Sequence, residues 1–154
     1  DAAGLAAAAG VALRPGETWQ DLFFRLLLER IDPAIGQDVP AFLTHWPAAE
    51  AALARRDPTD PRVALRFELF AAGLELANAY EELTDPDEQR ARFAAWRAER
   101  LAATGEDRAP DEDLLAALEH GLPPCAGIAL GFDRLAMLAC GARRIEDVLW
   151  LPAV

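Results

Sequence analysis

Acidic and amide side chains are concentrated in the segment LELANAYEELTD, residues 74–85. Glu75, Asn78 and Glu82 are its candidate ligand-binding residues, because carboxylates are costly to bury unless they hold a cation or a metal. Glu75 and Glu82 are therefore candidates for binding Mg²⁺ or the ammonium group of a substrate. From the pattern alone, carboxylates on a solvated strand face are the favoured interpretation, so the pattern does not by itself establish a site.

The geometry of a β-strand sets a condition on this candidate site. Side chains alternate between the two faces of a regular strand, which places Glu75 opposite to Asn78 and Glu82. The three residues can meet one ligand only if the strand bends or bulges, near Ala77 to Ala79. A site in this segment therefore predicts an irregular strand.

A second candidate lies in GIALGFDRL, residues 127–135. Gly127 and Gly131 leave room for a flat ligand or for close approach of a backbone. Arg134 stands where an extended segment turns into a helix, and a guanidinium there can stack on a ring and bind phosphate oxygens. The alternative is structural: an ion pair between Asp133 and Arg134 would tie the helix start to the sheet.

The histidines and cysteines are weaker candidates. His120 is predicted in the last turn of a helix, where a structural role is favoured by the helix dipole, and His45 has no obvious catalytic partner. Cys125 and Cys140 lack the spacing of a zinc or redox motif, so we expect buried, reduced thiols in a cytosolic protein. The sequence contains no recognisable Ser-His-Asp or Cys-His pairing and no Walker-type phosphate loop.

Periodicity predicts the elements that position these residues. Helical spacing and capping residues predict helices over 18–31, 85–104 and 111–120, with a further Ala-rich helix opened by Pro47 in AAEAALARR. The 85–104 helix has a narrow apolar stripe and is expected on the surface. AFLTHW is expected to be extended, and AGIALGFDRLAMLACG to run from a strand into a helix.

The clearest strand signal is RVALRFELF. Val63, Leu65, Phe67 and Leu69 alternate with polar residues, which predicts a β-strand. AAG is a tight connection to the extended segment that begins at Leu74, so the two segments are predicted to form a β-hairpin. The fold class is therefore α+β, an antiparallel β-sheet flanked by helices.

Composition limits the protein class. The 154 residues are 53% hydrophobic and 27% charged, as expected for one globular domain. The N-terminus does not resemble a signal peptide and lacks an initiator Met, which suggests an excised piece of a longer protein. No apolar run reaches the roughly 18 residues of a membrane span. The net charge of −11 argues against direct nucleic-acid binding by this portion.

Several motifs in order resemble a known family. GIALGFDRLAML resembles motif 3 of class II aminoacyl-tRNA synthetases, and RFELFAAGLELANAYEELTDPDEQRARF resembles the segment before it in lysyl-tRNA synthetases and their paralogues. The likeness covers about residues 31–152. It implies a partial class II catalytic fold, with residues 1–154 forming the C-terminal part, motif 3 present, and motifs 1 and 2 absent. It also implies a cytoplasmic enzyme that is a homodimer when complete.

The resemblance implies an ATP site with Mg²⁺. Glu75 would help to hold ATP through the metal ion, and Leu76 would line the nucleotide site. Gly131 would lie against the nucleotide. Arg134 would stack on adenine and contact the γ-phosphate, which makes Arg134 and Glu75 the implied catalytic residues.

The resemblance also implies a lysine-like substrate. Asn78 and Glu82 would bind it, with Glu82 pairing with an ammonium group, and Ala129 would lie at the pocket floor. Family members usually carry Gly at the position of Ala79 and His or Ser at that of Glu81, so this chain departs from the pattern there.

Two branches of the family differ in their acceptor. One charges tRNA with lysine, and the other attaches (R)-β-lysine to a lysine side chain of elongation factor P. The second branch is favoured by Ala at position 129, where synthetases carry Gly. It is also favoured by the sequences THWPA and ELAN–EELTD, which are closer to those of this branch. A synthetase-like protein that has lost catalysis and serves as a binding module is a further alternative. Without motifs 1 and 2, these 154 residues are predicted to be inactive alone.

Overall fold

The computed structural model describes residues 1–51 and 53–151. It contains four β-strands and five α-helices within these ranges. The strands are β1 (Ala41–Pro47), β2 (Val63–Ala71), β3 (Leu74–Glu81) and β4 (Ala126–Leu130). The helices are α1 (Ala2–Ala9), α2 (Trp19–Leu26), α3 (Pro86–Thr104), α4 (Glu112–His120) and α5 (Phe132–Cys140). The α+β class is confirmed.

The strands form one antiparallel sheet in the order β1-β2-β3-β4. The predicted hairpin joins β2 to β3 through Ala72 and Gly73, whose φ angles are 51° and 73°. Two successive residues with positive φ are the signature of a tight turn whose twist matches that of the strands. This hairpin places the acidic segment in the interior of the sheet, with β4 as its other neighbour.

Two helices precede the sheet. Thr18 caps α2 through a reciprocal capping box with Asp21, and a π-helical turn, Leu27–Ile31, continues the helix as predicted. The helix α1 was not predicted from the sequence; it packs against α2 around Ala6, Leu22 and Leu26.

The surface helix and its partner agree with the prediction. Asp85 caps α3 and Gly105 ends it in a left-handed conformation. Gln89 is the buried residue of α3. Asp111 caps α4, and Arg90 Nη2 on α3 lies 2.8 Å from Glu119 Oε1 on α4. Within residues 1–51 and 53–151, no helix combines the length and the apolar character needed to cross a bilayer.

The predicted Ala-rich helix after Pro47 is wrong. Only the single 3₁₀ turn Ala48–Glu50 forms, and residue 52 lies outside the described ranges. The following backbone pairs with the sheet instead: Arg55 N donates to Glu81 O at 2.8 Å and Leu83 N donates to Leu53 O at 2.8 Å. These tertiary hydrogen bonds outweigh the helix propensity of alanine.

The expectation of buried cysteines is also wrong, because both thiols are free and exposed. Cys125 precedes β4, all of whose residues are exposed, and Cys140 is the last residue of α5. Neither position is covered by another element of the described chain, so burial does not protect these thiols.

Candidate active site

The β3 strand contains the irregularity that the site requires. Glu68 pairs with Asn78 and Leu69 with Ala77, but Phe70 pairs with Glu75, so Leu76 is an extra residue in β3. Residues directly opposite each other share a face, and Glu68 and Phe70 are two apart on β2. The bulge therefore brings Glu75 to the face of Asn78, slightly upstream of the predicted position near Ala77 to Ala79.

The residues predicted to bind a lysine-like substrate line one pocket. Asn78 pairs with Ala129 and Tyr80 with Gly127, which places these four residues on one face of β3 and β4. Glu82 follows two residues after Tyr80. The pocket has a volume of about 520 Å³ and is lined by Ala51, Arg66, Asn78, Tyr80, Glu82, Gly127, Ile128 and Ala129.

Gly127 lies directly beside the carboxylate of Glu82. A Cβ atom at Gly127 would lie 3.0 Å from Glu82 Oε1, tighter than an ordinary van der Waals contact. The backbone of Glu82 is fixed by its N–H, which donates to Cys125 O at 3.0 Å. A glycine at this position therefore leaves room for the carboxylate at the pocket wall.

The residues predicted to bind the nucleotide also converge. Arg134 Nη1 donates to Glu75 O at 2.7 Å and lies 3.5 Å from Glu75 Oε2. Gly131 N donates to Leu76 O at 2.8 Å, so the bulge carbonyl holds the junction between β4 and α5. Within the described ranges, Arg134 forms an ion pair with Glu75 and none with Asp133. The Arg134 side chain is 47% exposed, which leaves its guanidinium accessible to a ligand.

Arg66 and Glu68 also belong to this site, although they were not predicted from the sequence. Arg66 Nε donates to Asn78 Oδ1 at 3.2 Å and Arg66 Nη2 donates to Glu68 Oε1 at 2.7 Å. Asn78 Nδ2 donates to the same Glu68 oxygen at 2.8 Å. The sequence does place two opposite charges on one face of β2. That face was predicted only as the polar side of the strand.

Burial on β2 reverses the expected pattern. Val63, Leu65, Phe67 and Leu69 are half-buried, whereas Glu68 on the other face is only 7% exposed. Trp46 on β1 covers this face, stacking on Arg66 and contacting Phe23 of α2 at a centroid distance of 6.0 Å. A charged network can be buried here because each of its members has a hydrogen-bond partner.

Carboxylates cluster beside the bulge. Burial, followed by the charge of Glu75, raises the pKa of Glu68 above its ordinary value. Burial and the charge of Glu75 also raise the pKa of Asp32. Within the described ranges, no three His, Cys, Asp or Glu residues converge to hold a metal unaided. Mg²⁺ commonly uses one or two carboxylates together with phosphates, so Glu75 with Glu68 fits such an ion.

The two histidines lie outside this site. His45 has a φ of 59° at the bulge between Thr44 and Trp46, and its Nδ1 lies 2.7 Å from Thr44 Oγ1. His120 is the last residue of α4, as predicted from helix capping. Neither residue lines the pocket.

Comparison with known proteins identifies relatives that are named as ligases. The chain is 53% identical over 119 residues to an elongation factor P (R)-β-lysine ligase of Pectobacterium carotovorum, covering 77% of this chain and 37% of the relative. It is 51% identical over 134 residues to the ligase of the same name in Vibrio cholerae, covering 86% and 41%. It is also 50% identical over 121 residues to a lysine–tRNA ligase of Anaeromyxobacter sp., covering 79% and 24%.

The family assignment rests on most of the chain. The match to the two ligases spans about two fifths of their length. Residues 26–154 match the family model described as tRNA synthetases class II (D, K and N). The chain therefore belongs to the class II tRNA synthetase family of the D, K and N type.

Proposed function

We propose that this chain is the C-terminal part of a longer cytoplasmic enzyme that activates lysine or (R)-β-lysine with ATP and transfers it to a lysine side chain of elongation factor P. The observation that carries this proposal is the pocket in which Asn78, Glu82 and Ala129 lie together. The contact between Arg134 and Glu75 lies on the same sheet, at the junction of β4 and α5. The names of the more similar relatives supply the acceptor.

The pocket suits a short chain that carries an ammonium group. Glu82 supplies a carboxylate at the wall, and Asn78 supplies an amide opposite Ala129. The Ala129 methyl narrows the floor, where the resemblance implies glycine in enzymes that charge tRNA. A small steric change of this kind can alter preference between lysine and an isomer whose amino group is one carbon further along.

Activation proceeds without a covalent enzyme intermediate in this proposal. The substrate carboxylate oxygen attacks the α-phosphorus of ATP, the bond to the β-phosphate oxygen breaks, and pyrophosphate leaves. Arg134 stacks on adenine and binds the γ-phosphate, which aligns the reacting groups. Glu75, with Glu68 beside it, would hold Mg²⁺, which neutralises phosphate charge.

Transfer completes the reaction. The uncharged acceptor amine attacks the acyl carbon of the adenylate, AMP leaves with the bonding electrons, and the amine loses a proton. Asn78 and Glu82 keep the aminoacyl group in place during this step. We propose that the complete enzyme is a homodimer and that the remainder of the polypeptide supplies motifs 1 and 2. On this proposal, the 154 residues alone do not catalyse lysine-dependent ATP–pyrophosphate exchange, and detecting such exchange would contradict it.

A lysyl-tRNA synthetase is the second candidate, because the Anaeromyxobacter relative carries that name at 50% identity. The full-length protein that carries this sequence would be incubated with ATP, Mg²⁺ and labelled lysine or (R)-β-lysine, with elongation factor P and tRNA offered together. Label on elongation factor P, preferably from β-lysine, is the expected result. Label on tRNA would make the protein a synthetase. If neither is labelled while ATP binds, a non-catalytic binding module is the better account.

A further inference from the structure

Arg66 lines the pocket wall and is the centre of a hydrogen-bond network there. Its side chain is 18% exposed. The guanidinium donates to Asn78 Oδ1 through Nε at 3.2 Å, to Glu68 Oε1 through Nη2 at 2.7 Å, and to the backbone oxygen of Glu50 through Nη1 at 3.0 Å. All three nitrogens are therefore used in distinct directions, as the planar fork of arginine permits and the single ammonium of lysine does not.

Trp46 packs against this guanidinium. The Arg66 Cζ atom lies 4.1 Å from the centroid of the indole ring, within the range of a cation–π contact. Trp46 is 4% exposed and directly follows His45, whose positive φ forms the bulge in β1. The ring is therefore held in the core, where it covers one side of the guanidinium.

This network fixes the direction of the Asn78 amide. Asn78 Oδ1 accepts from Arg66, and Asn78 Nδ2 donates to Glu68. A flipped amide would place its NH₂ against the guanidinium donor and its oxygen against a carboxylate oxygen, so both contacts would be lost. An amide nitrogen carries two hydrogens, and the bond to Glu68 uses one of them. Asn78 therefore offers the pocket a donor.

We propose that Arg66 is a positioning residue that holds Asn78 as a hydrogen-bond donor to the carboxylate of the amino-acid substrate, while Glu82 binds an ammonium group. This inference rests on the proposed function, because it needs an amino acid in the pocket. Arg66 acts through Asn78 and Glu68. Its loss therefore weakens recognition of the substrate carboxylate and leaves recognition of the ammonium group in place.

The test compares each amino acid with the diamine that lacks its carboxylate. Binding of lysine and cadaverine, and of (R)-β-lysine and 1,4-diaminopentane, is measured by calorimetry on the full-length protein. Arg66→Lys keeps the positive charge but removes the fork. Arg62→Lys is the matched control, because Arg62 precedes the same strand and its side chain is 86% exposed.

The expected result is selective. Arg66→Lys weakens binding of the amino acid by about tenfold, the effect of one hydrogen bond to a charged group, and changes diamine binding by less than about twofold. Arg62→Lys changes neither. In Asn78→Ala protein, Arg66→Lys has no further effect on amino-acid binding, because the residue through which it acts is gone. Trp46→Leu, which frees the guanidinium, gives the same selective loss and replaces Arg66→Lys if that variant does not fold.

Two results would overturn the inference. If Arg66→Lys weakens the amino acid and its diamine equally, the residue supports the pocket as a whole. If it changes neither, Asn78 does not depend on it. A wild-type protein that binds neither amino acid contradicts the proposed function itself, and the inference falls with it.

Discussion

Glu75 and Asn78 lie on the same face of β3 although they are three residues apart. The extra residue between them on β3, Leu76, shifts the alternation of side chains, and its carbonyl accepts from Gly131 N at 2.8 Å. One bulge thus orients the acidic segment and anchors the segment that carries Arg134. In the proposed reaction, this relationship brings the amino acid and the phosphates to one side of the sheet.

Glu75→Gln tests the assignment of this residue to the nucleotide. The variant keeps the shape of the side chain but removes the charge that would bind Mg²⁺. We expect lysine-dependent ATP–pyrophosphate exchange to fall by roughly a hundredfold, comparable to the loss of one transition-state contact. Lysine binding, measured by calorimetry, should stay the same. Glu81→Gln on the opposite face of β3 is the control and should change neither. Equal loss of lysine binding would place Glu75 in the amino-acid pocket.

Gly127→Ala tests the position of Glu82. The added Cβ would lie 3.0 Å from Glu82 Oε1 and displace the carboxylate from the pocket wall. We expect the Kd for lysine or β-lysine to rise by about tenfold, equivalent to about 1.4 kcal/mol. Gly131→Ala is the matched control, because its nearest neighbour, Arg134 Cδ, lies 3.4 Å away. That variant should weaken ATP binding and leave amino-acid binding unchanged. If Gly127→Ala weakened ATP binding and Gly131→Ala weakened amino-acid binding, the two binding assignments would have to be exchanged.

Ala129→Gly tests the basis of substrate choice. Removing the methyl widens the pocket floor, and one such group in a pocket changes relative rates by about tenfold or more. We expect the ratio of kcat/KM for (R)-β-lysine over lysine to fall. Ala126→Gly makes the same substitution on the other face of β4 and should leave the ratio unchanged. An unaltered ratio in Ala129→Gly would show that the choice is made elsewhere.

Glu17→Gln tests an ion pair that supports α2. Glu17 accepts from Arg25 Nε at 2.6 Å and Nη2 at 2.8 Å, which lowers the pKa of Glu17 to about 2. Because the pKa of Glu17 is lower in the folded state, the ionised carboxylate stabilises the fold at pH values above its unfolded pKa near 4.5. This contribution is lost as the pH falls toward 2. Wild type should therefore exceed Glu17→Gln in free energy of unfolding at pH 7, and the difference should shrink in acid.

Urea denaturation from pH 3 to pH 7 measures this difference. Glu29→Gln removes the exposed pair with Arg14 and serves as the control, because exposed pairs contribute little. A difference between wild type and Glu17→Gln that stays constant across this range would contradict the assigned cause.

The sequence predicted the elements that carry local signals. The predicted helices over 18–31, 85–104 and 111–120 form, capped by Thr18, Asp85 and Asp111, and alternation identified β2. It failed where tertiary contacts decide: the backbone after Pro47 pairs with the sheet, and Cys125 and Cys140 are exposed. The position of the β3 bulge and the roles of Arg66 and Glu68 depend on register with a neighbouring strand. The sequence pattern of a single strand does not show how that strand is aligned with its neighbour.

The most direct test of the account is ATP–pyrophosphate exchange by the full-length protein, dependent on lysine or (R)-β-lysine. We expect exchange with one of these amino acids, and none when both are omitted or when cadaverine replaces them. Glu82→Gln should abolish this amino-acid-dependent exchange while ATP still binds. Amino-acid-dependent exchange that is unchanged in Glu82→Gln, or no exchange with either amino acid, would contradict a single adenylate-forming centre built on this sheet.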